Sequence, residues 1–248
     1  MLCWFMFFRR IGTLLVALAA AAGCAPHAMA VAGGHIASAG ELPYILSLQR
    51  SGVAGWTHIC GAVLVDSDTA ITAAHCVEGS AFGVRVHYGS LEREEGGDTV
   101  SVVSIKRHEN YSPVTNSHDI AIVELAFTVP AVPARLAAMG SSPAPGAVAE
   151  VAGWGETSKD GGLSDVLRAA KARIVGRGAC DRHYAGRGGV DRSMICAGAA
   201  ACTGDQGGPL VLDGVLVGIS SFGQGCAGRP GVYARIGSLR RWIDDHRS

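Results

Sequence analysis

The 248-residue sequence lacks any block of like charge. Lysine plus arginine and aspartate plus glutamate stand at 21 each, and no basic stripe offers a phosphate backbone a footing, which argues against nucleic acid as a partner. It also lacks a close C-x-x-C pair, the spacing that zinc sites need. No apolar run is long enough to span a bilayer: the longest, Ile11 to Ala22, stops at Gly23. Long amphipathic stretches between apolar segments are missing too, and with them the helices a parallel α/β fold requires. There is no usable internal repeat.

What is present is a globular composition, 48% hydrophobic and 17% charged, with 35 glycines that imply many turns. Residues 1–30 differ from the rest. They hold no acid, set Arg9 and Arg10 before the apolar run, and end in "HAMA", whose Ala28 and Ala30 fit a small-x-small cleavage rule. The expectation is a signal peptide over 1–30, a secreted or periplasmic mature chain, and no membrane association once the signal is removed. An uncleaved leader would instead tether the chain to a membrane. Removal of Arg9 and Arg10 leaves a net charge of −2.

Of the eight cysteines, Cys3 and Cys24 fall in the leader. Cys60, Cys76, Cys180, Cys196, Cys202 and Cys226 remain, an even number that reads as disulfides in a secreted chain. Sequence alone does not resolve their pairing. Short β-rich runs recur throughout: "YILSLQ", "HICGAVLV", "VRVHYG", "TVSVVSIK", "IAIVEL", "AVAEVAG", "VLRAAKARIV", "PLVL", "VLVGISS" and "GVYARI". Punctuated by glycine, proline, serine and acids, they predict antiparallel barrels or sandwiches. Four of the nine prolines lie between Thr128 and Ala147, where missing ladder donors oppose strands and predict a linker between two β units. The glycine-rich "YAGRGGVDRS" reads as a surface loop. In "SLRRWIDDHRS", Ser238 is the expected cap of a closing helix with Leu239, Trp242 and Ile243 on one face.

Three local patterns bear on chemistry. "TAAHC" sets His75 beside a cysteine, "SHDIAIVEL" sets Asp119 before a buried strand, and "TGDQGGP" forms a tight turn. Singly, each has an ordinary explanation in a satisfied core histidine, a turn aspartate or a glycine loop. Together with "VAGG" at Val31 to Gly34, "AGWG" at Ala152 to Gly155, "SSFGQGC" and "RPGVYARI", they make the mature chain resemble the trypsin/chymotrypsin family of serine proteases. The resemblance implies an all-β fold of two six-stranded antiparallel barrels with a C-terminal helix. The expected division is a trypsin-like domain over 31–248, with the first barrel in 31–135 and the second barrel plus helix in 136–248. It also implies the pairings Cys60–Cys76, Cys180–Cys196 and Cys202–Cys226.

By the same resemblance, His75 is the general base and Asp119 fixes its tautomer. The backbone N–H groups of Gly204 and position 206 form the oxyanion hole. Ala200 at the base, with Gly223 and Gly231 on the walls, lines the primary specificity pocket. The uncharged Ala200 implies an apolar or aromatic ligand side chain, unless the pocket is a relic that binds nothing. Ser221 supports the buried aspartate, and Phe222 stands where tryptophan is common. The ammonium of Val31, freed by cleavage after Ala30, would pair with Asp205. The departure is Gln206, which fills the slot of the nucleophilic serine. A carboxamide has no ionisable hydroxyl and forms no acyl ester. Loss of such a nucleophile costs about 10⁶-fold in kcat.

The expected protein is a monomeric, cofactor-free, inactive homologue that binds a peptide or protein. The acids of "SLEREEGGD" read as a solvated turn, and no metal is expected. The alternative is an active endopeptidase with apolar preference, in which Gln206 is an error or an engineered change.

Overall fold

A computed structural model of the chain describes residues 34–157, 161–198, 202–224 and 229–247. The expected signal peptide, Val31, Ala200 and Cys226 lie outside the described residues. The first barrel comprises β2 (Ile45–Gly52), β3 (Gly55–Asp66), β4 (Thr69–Thr72), β5 (Val84–Tyr88), β6 (Asp98–Arg107) and β7 (Ala121–Leu125). These close in the order β2-β3-β4-β7-β6-β5. Closure leaves the barrel no open edge, and side chains alternate between its packed interior and its outer face. Leu46, Leu48, Leu64, Ile71 and Ile122 are all buried.

The second barrel uses β9 (Val148–Gly153), β10 (Arg168–Val175), β11 (Met194–Ala197), β12 (Pro209–Leu212), β13 (Val215–Phe222) and β14 (Gly231–Arg235). Six residue pairs between β9 and β10, Arg168↔Gly153 through Arg173↔Val148, close the ring. Every neighbouring pair within the two barrels is antiparallel. The short β1 (His35–Ile36) precedes the first barrel in sequence yet pairs with β10. A continuous apolar core runs through both barrels, with Leu210, Leu216, Ile219 and Tyr233 buried on the second side.

The proline-rich connection is irregular, with turns at Met139–Gly140 and Pro145–Gly146, except at β8 (Arg135–Leu136), which adds a two-residue parallel strand beside β13. The helix α1 (Arg177–Tyr184) is bridged to β11 by the Cys180–Cys196 disulfide. The stretch from Tyr184 continues as a short 3-10 turn, Ala185–Arg187, before the expected loop.

The closing helix α2 spans Ile236–His246 and begins earlier than Ser238. Ser238 therefore does not cap it. Its hydroxyl lies inside the first turn and donates to the Arg235 carbonyl at 2.8 Å. Leu239 and Ile243 are buried as the spacing predicts. The Trp242 ring reaches back to the first barrel, donating its N–H to Glu109 at 2.6 Å and packing on His108. Among the described residues, no helix is long and apolar enough to cross a membrane.

Candidate active site

His75 sits on a 3-10 turn, Ala74–Val77, immediately after β4. The disulfide between Cys60 on β3 and Cys76 fixes that turn to the barrel wall. Asp119 precedes β7 at the end of a tight loop in which Asn116 and His118 adopt left-handed backbone, φ 57° and 53°. Such geometry is costly outside glycine and persists only where its surroundings hold it. Here the His118 N–H donates to Ser193 Oγ at 3.0 Å, and Ser117 bonds Asp191.

The two elements meet at the aspartate. Asp119 is 1% exposed and takes three donors. The His75 backbone N–H reaches Oδ1 at 3.0 Å, while His75 Nδ1 and Ser221 Oγ reach Oδ2 at 2.7 and 2.5 Å. A carboxylate accepts only, so Nδ1 carries the proton and the lone pair is left on Nε2. Nearby, the Tyr111 hydroxyl is pushed up to about 12, first by burial and then by the Asp119 charge.

Across the interface lies the loop carrying position 206. Gly204 and Gly207 have φ of +93° and +78°, conformations that glycine adopts freely. At Gly207 a Cβ would also meet Gly61 O at 2.1 Å, so the two barrels touch through backbone. The loop is pinned from below by Asp205, whose carboxylate accepts from Gly155 N–H at 2.8 Å and Cys202 N–H at 3.0 Å. Complete burial pushes this carboxyl up to about 7 despite both donors. Its expected partner, Val31, falls outside the described residues.

Gln206 is half-buried, and its side chain turns back on its own loop. Oε1 accepts the Gly204 N–H at 2.8 Å. The residue expected in the serine slot thus places a carbonyl oxygen on one of the two backbone donors expected to form the oxyanion hole. His75 and Gln206 line one cleft of about 490 Å³ with Arg50, Ile59, Cys60, Cys76 and Glu78. Cys60, Cys76 and His75 bring their ligand atoms within 4.8 Å, but both sulfurs are spent in the disulfide and are not thiolate donors.

A sequence model of the family described as Trypsin matches residues 31–243. The chain belongs to the trypsin family. It is 40% identical over 246 residues to Trypsin alpha-4 of Lucilia cuprina, covering 93% of this chain and 95% of that one. Trypsin 5G1 of Aedes aegypti is 38% identical, with 87% of this chain and 84% of the relative covered. Trypsin delta of Drosophila melanogaster is 40% identical, with 86% and 87% covered.

Against that family background, the structure brings His75, Asp119, Ser221, Gly204 and Gln206 together. The expected bridges Cys60–Cys76 and Cys180–Cys196 are present, with Cα atoms 6.2 and 6.4 Å apart. Cys202 is disulfide-bonded, and its expected partner, Cys226, is outside the described residues. Gly231 opens β14 opposite Ala197, and Gly223 follows β13; Ala200, the third residue expected in the pocket, is not described. Phe222 stacks edge-on to Tyr184 at 5.3 Å.

One buried group escaped sequence reasoning. His58 on β3 holds the loop of Gly204 from the first barrel, its Nε2–H donating to Gly204 O at 3.0 Å while Nδ1 accepts from Ser47 Oγ at 2.8 Å. The ring packs edge-on to Trp154. Burial drives its pKa from 6.5 down to about 4, which keeps it neutral. A lone histidine on a strand gives no sequence sign of this contact, because its partner is 146 residues away.

Proposed function

We propose that this trypsin-family protein is a secreted pseudoprotease that has lost peptide hydrolysis and acts by holding a peptide or protein in its cleft. One observation carries the reading. The side chain in the serine slot is an amide whose oxygen sits 2.8 Å from Gly204 N–H, where a substrate carbonyl would have to enter. His75 and Asp119 keep the roles of base and orienting carboxylate, Gly204 and Gln206 supply the oxyanion N–H groups, and Val31 pairs with Asp205. The base lacks a hydroxyl to activate, and acyl transfer has no first step. The bound ligand presents an apolar side chain to the pocket of Ala200, Gly223 and Gly231, and the protein works as a monomer without cofactor or metal.

The test pairs the unaltered protein with Gln206→Ser. An active-site serine reagent and apolar peptide substrates are applied to both. The expected result is no labelling and no turnover in the unaltered chain, with both appearing in the variant. Labelling or turnover by the unaltered chain overturns the reading.

A further inference from the structure

We propose that Gln206 is a self-modification site: the residual machinery around it hydrolyses its side-chain amide to a carboxylate. The inference rests on the reading of Gln206 as the occupant of the serine slot. In acyl transfer by a serine nucleophile, the intermediate runs from Cβ through Oγ to an acyl carbonyl carbon. Glutamine runs from Cβ through Cγ to Cδ, a carbonyl carbon the same number of bonds from the backbone, with a methylene in place of the ester oxygen. Gln206 is therefore a carbon analogue of an acyl-enzyme. Its carbonyl oxygen sits as that of an acyl group would, on Gly204 N–H at 2.8 Å.

The groups that would hydrolyse an acyl-enzyme are also in place. Asp119 holds the Nδ1 proton of His75 at 2.7 Å, leaving Nε2 as the free base. The His75 side chain is 30% exposed and shares its cleft with Gln206, so water reaches both. A donor aimed at the oxygen where charge develops, together with a positioned base, is the arrangement that lowers the barrier for addition to a carbonyl. Tethering makes the reaction intramolecular, with no substrate to recruit.

In the proposed step, His75 Nε2 takes a proton from water as the water oxygen bonds to Cδ. The carbonyl π pair moves to Oε1, where Gly204 N–H meets the charge. Collapse restores the C=O bond and breaks the bond from Cδ to the amide nitrogen, which takes its proton from His75 and leaves as ammonia. The Cγ–Cδ bond stays intact, because a carbanion is no leaving group. Water and a glutamine become a glutamate and ammonium, and the cleft gains a negative charge. The competing route, attack on Cδ by the following backbone nitrogen, is opposed because Gly207 N–H is engaged with Ser220 O at 2.8 Å.

The experiment incubates the purified mature chain in heavy-oxygen water and maps its peptides by mass spectrometry. Gln49 and Gln224 serve as internal controls. Gln224 is followed by Gly225 as Gln206 is by Gly207, so it reports conversion driven by local sequence alone. The expected result is conversion at Gln206 ahead of both controls, with one heavy oxygen incorporated and a normal peptide linkage. The rate at Gln206 falls by about 10²-fold or more in His75→Ala, and it also falls in Asp119→Asn, with cooperative unfolding confirming that each variant is folded. Retention of the amide, an equal rate in His75→Ala, or an isomerised linkage at Gln206 overturns the proposal. Retention leaves the pseudoprotease reading standing, whereas serine-reagent labelling of the unaltered chain would remove both.

Discussion

Gly61, on β3 of the first barrel, donates its backbone N–H to the carbonyl oxygen of Gln206 in the second barrel at 2.7 Å. This bond ties the loop that carries Gln206 to the barrel that carries His75. The neighbouring backbones are so close that a Cβ on Gly61 would lie 2.9 Å from both Cα and N of Gly208. Backbone cannot swing aside as a flexible side chain can. The structure thus joins the two halves of the site through a seam with no room for a methyl group.

The first prediction tests that seam. Gly61→Ala forces the barrels apart and costs about 1–3 kcal/mol, the usual penalty of overpacking. Gly162→Ala is the control, since nothing lies within 4 Å of a Cβ built there. Urea unfolding of the two variants should show a lowered midpoint for the first alone. Equal midpoints would mean that the seam relaxes freely.

Ser221→Ala removes one of the three donors to a carboxylate that is 1% exposed. A buried charge left short of a partner costs about 1–3 kcal/mol. Because His75 Nδ1 binds the same Oδ2 atom, the loss also loosens the imidazole. The expected result is a lower melting temperature together with broadened His75 ring signals in NMR spectra. Ser221→Thr, which keeps the hydroxyl, should restore both.

Much of the fold was legible because its strands carry a periodic signal. β10 alternates buried and exposed residues along "AKARI", and β13 and β14 are apolar runs between turns. Elements without that signal were missed. β4 and β11 are buried on every residue and only four residues long, too short to show a period. β1 and β8 are two-residue strands that exist only because a partner strand passes beside them. α1 is poor in apolar residues and owes its place to the Cys180–Cys196 bridge. In the site, motifs located His75, Asp119 and position 206. The direction of the Gln206 side chain was not in the sequence, because a rotamer is chosen by the surrounding donors, here Gly204 N–H.

In a Gln206→Ser background, Asp119 can be tested as an orienting group. Asp119→Asn presents His75 Nδ1 with an amide, which can stabilise the wrong tautomer by donating to it. The expected loss in kcat on an apolar peptide is about 10⁴-fold, with KM little changed because the substrate does not touch the buried side chain. A loss shared equally by KM would assign Asp119 to binding instead.

The last prediction concerns acid. His58 titrates near 4 in the folded chain against 6.5 in its ordinary state, because burial penalises the imidazolium more than the Gly204 carbonyl favours it. Between those values the unfolded chain binds the proton and the folded chain does not. Stability is therefore fully present above pH 6.5 and falls as pH drops toward 4. The span of the shift sets the loss at about 3 kcal/mol. His58→Gln, which no longer titrates, should be less stable than the parent at pH 7 but should lose less stability on acidification to pH 4. Urea unfolding at several pH values in that window reads the difference in slope. Parallel slopes would show that other groups carry the acid sensitivity and that the hold of His58 on the Gly204 loop is independent of its charge.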